Sequence, residues 1–318
     1  MNQTSFQIPT VWAGRSRNRK RGLRLLPKTG GYFVHVTSRA VHRRFLLTTE
    51  EKKAFTDLMF RWADFSGLTV LTHCLMDNHF HMMIWVPPAQ QVRHEEIVRR
   101  LGQVWPAAKV QAWERFHQAA NAGTRRELEA ELTRRMYNLP AFMRVLKQSF
   151  SVGYNERHEL SGTFWEGRYR SMVVDANPEI LMKVSSYIDL NPIRAKCCKD
   201  PGEYAWSGYG RAVGGDEASR KGLCMLVGFS KGQLPHPLRH KGPGLPNKEC
   251  PQIGIPWPDA ERIHRVWLYA EGRSVEDDPT ASDRRKARPG FSSQEVYHEF
   301  MKAIGQSRRN EAEGNRCA

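Results

Sequence analysis

A two-residue turn at Asp77-Asn78 constrains the fold of this sequence more than any other feature. It separates two runs rich in apolar and β-branched residues, 68–76 and 79–86. Aspartate and asparagine tolerate the left-handed backbone that a short hairpin turn requires. The two runs are therefore predicted to pair as antiparallel strands. Pro87-Pro88 closes the second strand, because proline cannot donate to the ladder.

The second strand begins with a histidine pair, His79 and His81. Because side chains alternate along a strand, these two imidazoles share one face, and Phe80 and Met82 share the other. Two neighbouring imidazoles are suited to chelating a divalent cation. The H-x-H pattern alone is weak evidence, and two solvated or core histidines are the alternative interpretation.

The remaining pattern predicts an α+β fold with a central antiparallel sheet flanked by helices. Further strands are expected over 32–37 and within 163–174. Helices are expected from a Thr49 cap to Gly67, as a charged helical hairpin over about 95–136, and from Leu139-Pro140 to before Gly162. Beyond residue 210 we expect a loop-rich extension with helices near 259–269 and 293–304, followed by a disordered tail.

One further helix is predicted to start at Asn177-Pro178 and to run through Leu190. Tyr187 and Asn191 lie four residues apart there and would share a face. A phenol oxygen able to attack phosphorus and an amide oxygen able to ligate a metal would project together. The alternatives are a core tyrosine and an ordinary residue before a proline, both of which are common.

The charge balance indicates a polyanionic partner. The chain carries 49 basic and 33 acidic residues, a net charge of +16, and such a field concentrates nucleic acid. No apolar run approaches the roughly 20 residues of a membrane span, so we expect a cytoplasmic protein. The predicted phosphate contacts are a basic arm and two arginines near the last strand: Arg15, Arg17, Arg19, Lys20, Arg21, Arg24, Arg168 and Arg170.

Three ordered blocks resemble one known family. These blocks are 76–81 (MDNHFH), 162–169 (GTFWEGRY) and 187–195 (YIDLNPIRA). They look like the motifs of single-tyrosine HUH transposases, and specifically of the REP-associated tyrosine transposases. The resemblance covers about residues 20–210, and 204–207 (YAWS) is similar to a segment that often follows the catalytic helix.

The resemblance implies a ferredoxin-like HUH catalytic domain over 30–210, preceded by the arm 1–29 and followed by the extension 211–318. It implies that His79, His81 and Asn191 bind Mg²⁺ or Mn²⁺ and that Tyr187 is the nucleophile. The implied activity is cleavage and rejoining of single-stranded, hairpin-containing DNA through a 5′-phosphotyrosine intermediate. The implied partner is REP-like DNA, and the implied location is a bacterial cytoplasm, at the nucleoid.

Several alternatives stay open from sequence alone. The chain could be a non-catalytic hairpin-DNA-binding regulator derived from a transposase. A zinc hydrolase is less favoured, because a third ligand at helical spacing is missing. Trp165 and Tyr169 could stack on bases or belong to the core. The insertion at 95–136 could contact DNA, mediate a homodimer or do neither.

Overall fold

The computed structural model describes residues 31–230 and 255–271. Its four strands form one antiparallel sheet in the order β2-β3-β1-β4. The strands are β1 (Tyr32–Arg39), β2 (Thr69–Leu75), β3 (His79–Val86) and β4 (Arg170–Val174). The longer helices are α1 (Thr49–Ser66), α2 (His94–Val104), α3 (Ala107–Ala119), α4 (Ala122–Thr133), α5 (Leu139–Arg157), α6 (Pro178–Asp189), α9 (Glu217–Phe229) and α10 (Trp257–Glu271). Two short helices, α7 (Asn191–Arg194) and α8 (Gly208–Val213), lie between α6 and α9.

The order of elements around the sheet is that of a split βαβ fold. Strand β1 lies between β3 and β4, and each neighbouring pair is antiparallel. A helix follows β1, and a helical segment connects β3 to β4. This is the ferredoxin-like arrangement, so the predicted α+β fold with a central antiparallel sheet is confirmed.

The predicted hairpin is present and sorts its side chains as the alternation requires. Phe80, Met82 and Ile84 point into a first core beneath α1 and α5. Met83 belongs to a second core on the opposite face of the sheet. That second face also carries His79 and His81, because residues two apart on a strand share a face.

Helix α1 stops where the sequence predicts. Gly67 adopts a left-handed conformation with φ 65° and ends the helix with its backbone N–H on the carbonyls of Ala63 and Asp64. The predicted cap is displaced by one residue, since Thr48 rather than Thr49 accepts the N–H of Glu51. Helix α5 opens at Leu139-Pro140 as predicted, with Asn138 as its cap.

The predicted helical hairpin over 95–136 is wrong, because this segment forms three helices. Pro106 separates α2 from α3, and a second break falls at Ala120-Asn121. The Asn121 side chain accepts the N–H of Thr124 and caps α4, while Gly123 lies inside that helix. The break that the sequence predicts at Gly123 is thus set two residues earlier by the Asn121 cap, and the additional boundary lies at Pro106, where only a kink was expected.

The described part of the segment after residue 210 is largely helical and packs on the sheet. Helices α8 and α9 were not predicted, whereas α10 confirms the helix expected near 259–269. Leu223 and Leu226 of α9 and Trp267 of α10 are buried in the second core together with Met83. The domain boundary at 210 stays a prediction, and the helix expected at 293–304 lies outside the described residues.

None of the helices in the described ranges is long and apolar enough to cross a membrane.

Candidate active site

The histidine pair lies on the second face of the sheet, at the start of β3. The His79 and His81 rings are perpendicular, with centroids 5.1 Å apart. His81 is 8% exposed, and His79 is partly buried. Strand alternation predicted this side-by-side presentation, and the β1–β3 register places Arg39 opposite His79 and Thr37 opposite His81.

A third histidine, His35 on β1, completes the cluster. Its Nε2 lies 2.9 Å from His81 Nδ1, and the two rings stack with centroids 5.2 Å apart. His35 was not among the site residues expected from the sequence. The alternation along β1 places His35 on the same face as Thr37, and pairing of β1 with β3 would have brought it to the histidine pair.

Hydrogen bonds orient both imidazoles of the pair. Asn78 donates its Nδ2 to the carbonyl of Arg43, which turns its Oδ1 toward His79 Nδ1 at 2.7 Å. An amide oxygen only accepts, so His79 carries its proton on Nδ1, and Nε2 keeps its lone pair. With a proton on His81 Nδ1, shared with His35 Nε2, the His81 Nε2 is equally available to a cation.

The environment keeps these histidines neutral. Burial, followed by electrostatic interactions with His35, His79, Arg39 and Arg194, lowers the pKa of His81 to about 3. Burial lowers the pKa of His35, and burial together with Arg39 lowers the pKa of His79, against an opposing effect of Asp77. Neutral imidazole is the form that ligates metals, so protons compete for His81 only in acid.

Tyr187 lies next to this cluster on α6. Its ring centroid is 5.8 Å from that of His81 and 6.2 Å from that of His35, edge-on to both. The side chain is 42% exposed, which argues against the alternative of a sealed core tyrosine. Helix α6 is launched by Asn177, whose side chain accepts the N–H groups of Glu179 and Ile180. The structure therefore brings Tyr187 and His81 together from elements 106 residues apart.

Asn191 and Arg194 surround the C-terminal end of α6. The Asn191 Nδ2 donates to the carbonyls of Tyr187 and Ile188, so its Oδ1 remains the acceptor. Arg194 donates to the same Tyr187 carbonyl, and its guanidinium lies 4.7 Å from the centroid of the Tyr187 ring. Sequence reasoning missed Arg194, although it belongs to the third motif block.

Asp189 anchors the tyrosine helix from behind. Its carboxylate accepts from Thr72 Oγ1, the backbone N–H of Tyr209 and His264 Nε2, all at 2.8 to 3.1 Å. Both Asp189 and His264 are completely buried. The sequence gave no signal for a partner of Asp189 on α10.

The predicted phosphate contacts divide into two groups. Arg168 and Arg170 are exposed. Arg170 is paired with Thr37, which is paired with His81, so these three side chains share the second face of the sheet. The arm residues lie outside the described ranges: Arg15, Arg17, Arg19, Lys20, Arg21 and Arg24.

Trp165 is a core residue and not a base-stacking platform. It is 6% exposed, packs against Phe55 and Phe80, and donates its indole N–H to the carbonyl of Lys147. Tyr169 is partly buried and packs against the same first core. The packing of Trp165 in the first core therefore excludes its interpretation as a base-stacking residue.

The donor set of the site fits a divalent metal. His79 and His81 each offer an Nε2 lone pair, and Asn191 offers an amide oxygen. Imidazole ligands favour transition metals over Mg²⁺, so Mn²⁺ suits these donors better than Mg²⁺ does.

Residues 29–108 match the family model described as IS200-like transposases. This segment spans β1, α1, β2 and β3 and includes His35, His79 and His81. The resemblance to transposases is confirmed. A solved structure of a REP-associated tyrosine transposase bound to a REP hairpin is also similar, at 13% identity and a TM-score of 0.35. That match covers 63% of this chain and 87% of the other. Among curated proteins, no sequence matches this chain.

Proposed function

We propose that this chain is a metal-dependent transposase and endonuclease that cleaves and rejoins single-stranded, hairpin-containing DNA through a 5′-phosphotyrosine intermediate. The observation that carries the proposal is the half-exposed Tyr187 ring, 5.8 Å from the His81 ring. A phenol in contact with solvent beside two oriented, neutral imidazoles is what phosphoryl transfer to tyrosine requires. The match of residues 29–108 to IS200-like transposases supports the same reaction class.

In the proposed step, Tyr187 Oη attacks the scissile phosphorus. The new P–O bond to tyrosine forms as the bond from phosphorus to the 3′ oxygen breaks. The phenol proton passes to solvent, and the leaving 3′ oxygen takes up a proton to give a free hydroxyl. Because the phosphotyrosine linkage keeps the energy of the broken ester, rejoining by a 3′ hydroxyl needs no nucleoside triphosphate.

Three groups of this chain assist that step. His79, His81 and Asn191 would hold Mg²⁺ or Mn²⁺, which supplies Lewis-acid polarisation of the phosphate. The Arg194 guanidinium lies 4.7 Å from the centroid of the Tyr187 ring and restrains it. His35 holds the His81 ring in its orientation.

The proposed substrate is single-stranded because a tyrosine on a helix must reach an unpaired, flexible backbone. Exposed Arg170, on the same face as His81, is placed to contact a phosphate beside the site. The hairpin in the substrate follows from the resemblance of the three sequence blocks. Tyr187 reaches the histidines of its own chain, so the proposed reaction does not need a second copy.

The test is adduct formation with a labelled single-stranded hairpin DNA and Mn²⁺, resolved on a denaturing gel. We expect a covalent protein–DNA adduct with the wild type and with Tyr169→Phe, the matched control. We expect none with Tyr187→Phe or with His79→Ala/His81→Ala. An adduct with Tyr187→Phe would show that the nucleophile is another residue. Wild type that binds the hairpin without forming an adduct would favour the non-catalytic regulator.

A further inference from the structure

The three-helix insertion brings together two histidines and a glutamate that the proposed DNA reaction does not use. His94 is the first residue of α2, His117 lies in the last turn of α3, and Glu129 lies in α4. One ligand atom from each residue lies within 4.8 Å of the other two. Each helix of the insertion therefore contributes one metal-ligating side chain to the same point.

The distances within this cluster match those around a small tetrahedral ion. Glu129 Oε1 lies 2.9 Å from His117 Nε2 and 3.4 Å from His94 Nδ1. Ligands held about 2.0 to 2.1 Å from a tetrahedral ion stand roughly 3.3 Å from one another. The two distances to the carboxylate oxygen are therefore close to those around one ion, and the two ring nitrogens lie within 4.8 Å of each other.

The cluster is held rigidly by aromatic packing. The His94 and His117 rings stack with centroids 4.3 Å apart, and Trp113, which is 1% exposed, stacks on both at 5.7 and 5.1 Å. This stacking fixes the direction in which both imidazoles point. A site whose ligands are oriented before binding loses less entropy when the ion enters.

The buried Nδ1 atom of His94 also points to an ion at this cluster. This nitrogen is enclosed by protein and makes no hydrogen bond. Glu129 Oε1 lies 3.4 Å away but is not aligned for a hydrogen bond, and an ion between the two atoms would give this nitrogen a ligand bond. The side chain of Glu129 is one third exposed, so solvent can provide a fourth ligand.

We propose that His94, His117 and Glu129 bind a divalent transition-metal ion of the Zn²⁺ class, with water as the fourth ligand. Two imidazoles and a carboxylate select Zn²⁺ over the alkaline-earth ions. The ion joins α2, α3 and α4 and stabilises the insertion. This site shares no residue with the one proposed for DNA cleavage.

Zinc titration of the full-length chain, stripped of metal by a chelator, tests this proposal. The chain carries His79→Ala/His81→Ala, so that the histidine pair on β3 cannot bind. We expect calorimetry to detect one equivalent of Zn²⁺. His117→Asn and Glu129→Gln should each raise the dissociation constant for Zn²⁺ at least about 10-fold. Cobalt added instead of zinc should give the visible absorption of a tetrahedral site.

The matched control is His158→Asn. His158 Nε2 lies 2.9 Å from Glu51 Oε1, the same separation as in the His117–Glu129 pair, but this carboxylate is already bound by Arg157. We expect unchanged zinc affinity in this variant. If His117→Asn fails to fold, the isosteric and less buried Glu129→Gln decides. Absence of zinc binding in the parent chain, or equal affinity in Glu129→Gln, would overturn the proposal.

Discussion

Replacing Asp189 should be among the most destabilising single changes in the second core. Its carboxylate is completely buried and accepts hydrogen bonds from the Thr72 hydroxyl, the Tyr209 N–H and the His264 ring. In Asp189→Ala all three buried donors lose their acceptor. Each such loss costs about 1 to 3 kcal/mol, and this is partly offset because the buried carboxylate no longer has to be desolvated.

We therefore expect Asp189→Ala to lower the free energy of unfolding by about 4 kcal/mol. Asp189→Asn should cost about half as much, because its oxygen can still accept from Thr72 and Tyr209, whereas its Nδ2 faces His264. Typical domains are stable by only about 5 to 15 kcal/mol. The alanine variant should accordingly lose a large part of the total stability.

Urea unfolding at pH 7.5, followed by circular dichroism, measures these differences. The control is Asp64→Asn, which removes a carboxylate from an exposed pair with Arg99, 40% and 47% accessible. An exposed pair of this kind contributes about 1 kcal/mol or less. If Asp189→Ala costs no more than Asp64→Asn, the buried network does not stabilise the fold, and the reasoning fails.

Three further predictions concern close packing, pH and the metal. Gly222→Ala should lower the free energy of unfolding by about 1 to 3 kcal/mol, because a Cβ there would lie 2.3 Å from the Val70 carbonyl oxygen. Gly102→Ala, where nothing lies within 4 Å of the added Cβ, should raise it by about 0.5 to 1 kcal/mol, and urea unfolding measures both changes. Burial lowers the pKa of His73 to about 3 from 6.5, so the unfolded chain binds the proton more tightly than the folded chain does. The free energy of unfolding therefore falls as the pH drops from 6.5 toward 3. His73→Gln should remove about 2 kcal/mol of the stability loss between pH 7.5 and 5, and urea unfolding at both pH values measures this. His35→Ala should weaken Mn²⁺ binding by about 10- to 100-fold in calorimetry, and unchanged affinity would show that His35 does not orient its neighbour.

The local elements of this fold were predictable because their signals lie within a few residues. The Asp77-Asn78 turn and the alternation after it gave the hairpin and the shared face of the histidine pair. The glycine at 67 ended α1 as expected. The insertion was harder, because a proline within a helical pattern can either kink a helix or end it, and Pro106 separates two helices here.

The candidate site was predictable only where one element or a motif block supplied its residues. The position of Tyr187 on a helix could be read directly, whereas Asn191 begins the separate helix α7 rather than continuing α6 as expected. The contact of His35 with His81 joins residues 46 apart, and that of Asp189 with His264 joins residues 75 apart. In neither pair does the sequence around one residue indicate which distant residue it contacts.

The sequence by itself determined the β2–β3 hairpin, the positions of helices α1, α5 and α6, and which residues of one strand share a face. Side-chain periodicity and turn preferences are properties of adjacent residues, so they need no knowledge of the rest of the chain. The tertiary structure alone decided that α6 lies on the face carrying the histidines and that α9 and α10 cover the same face. Those arrangements depend on burying apolar surface between distant segments, and this free energy is defined only once the segments are in contact.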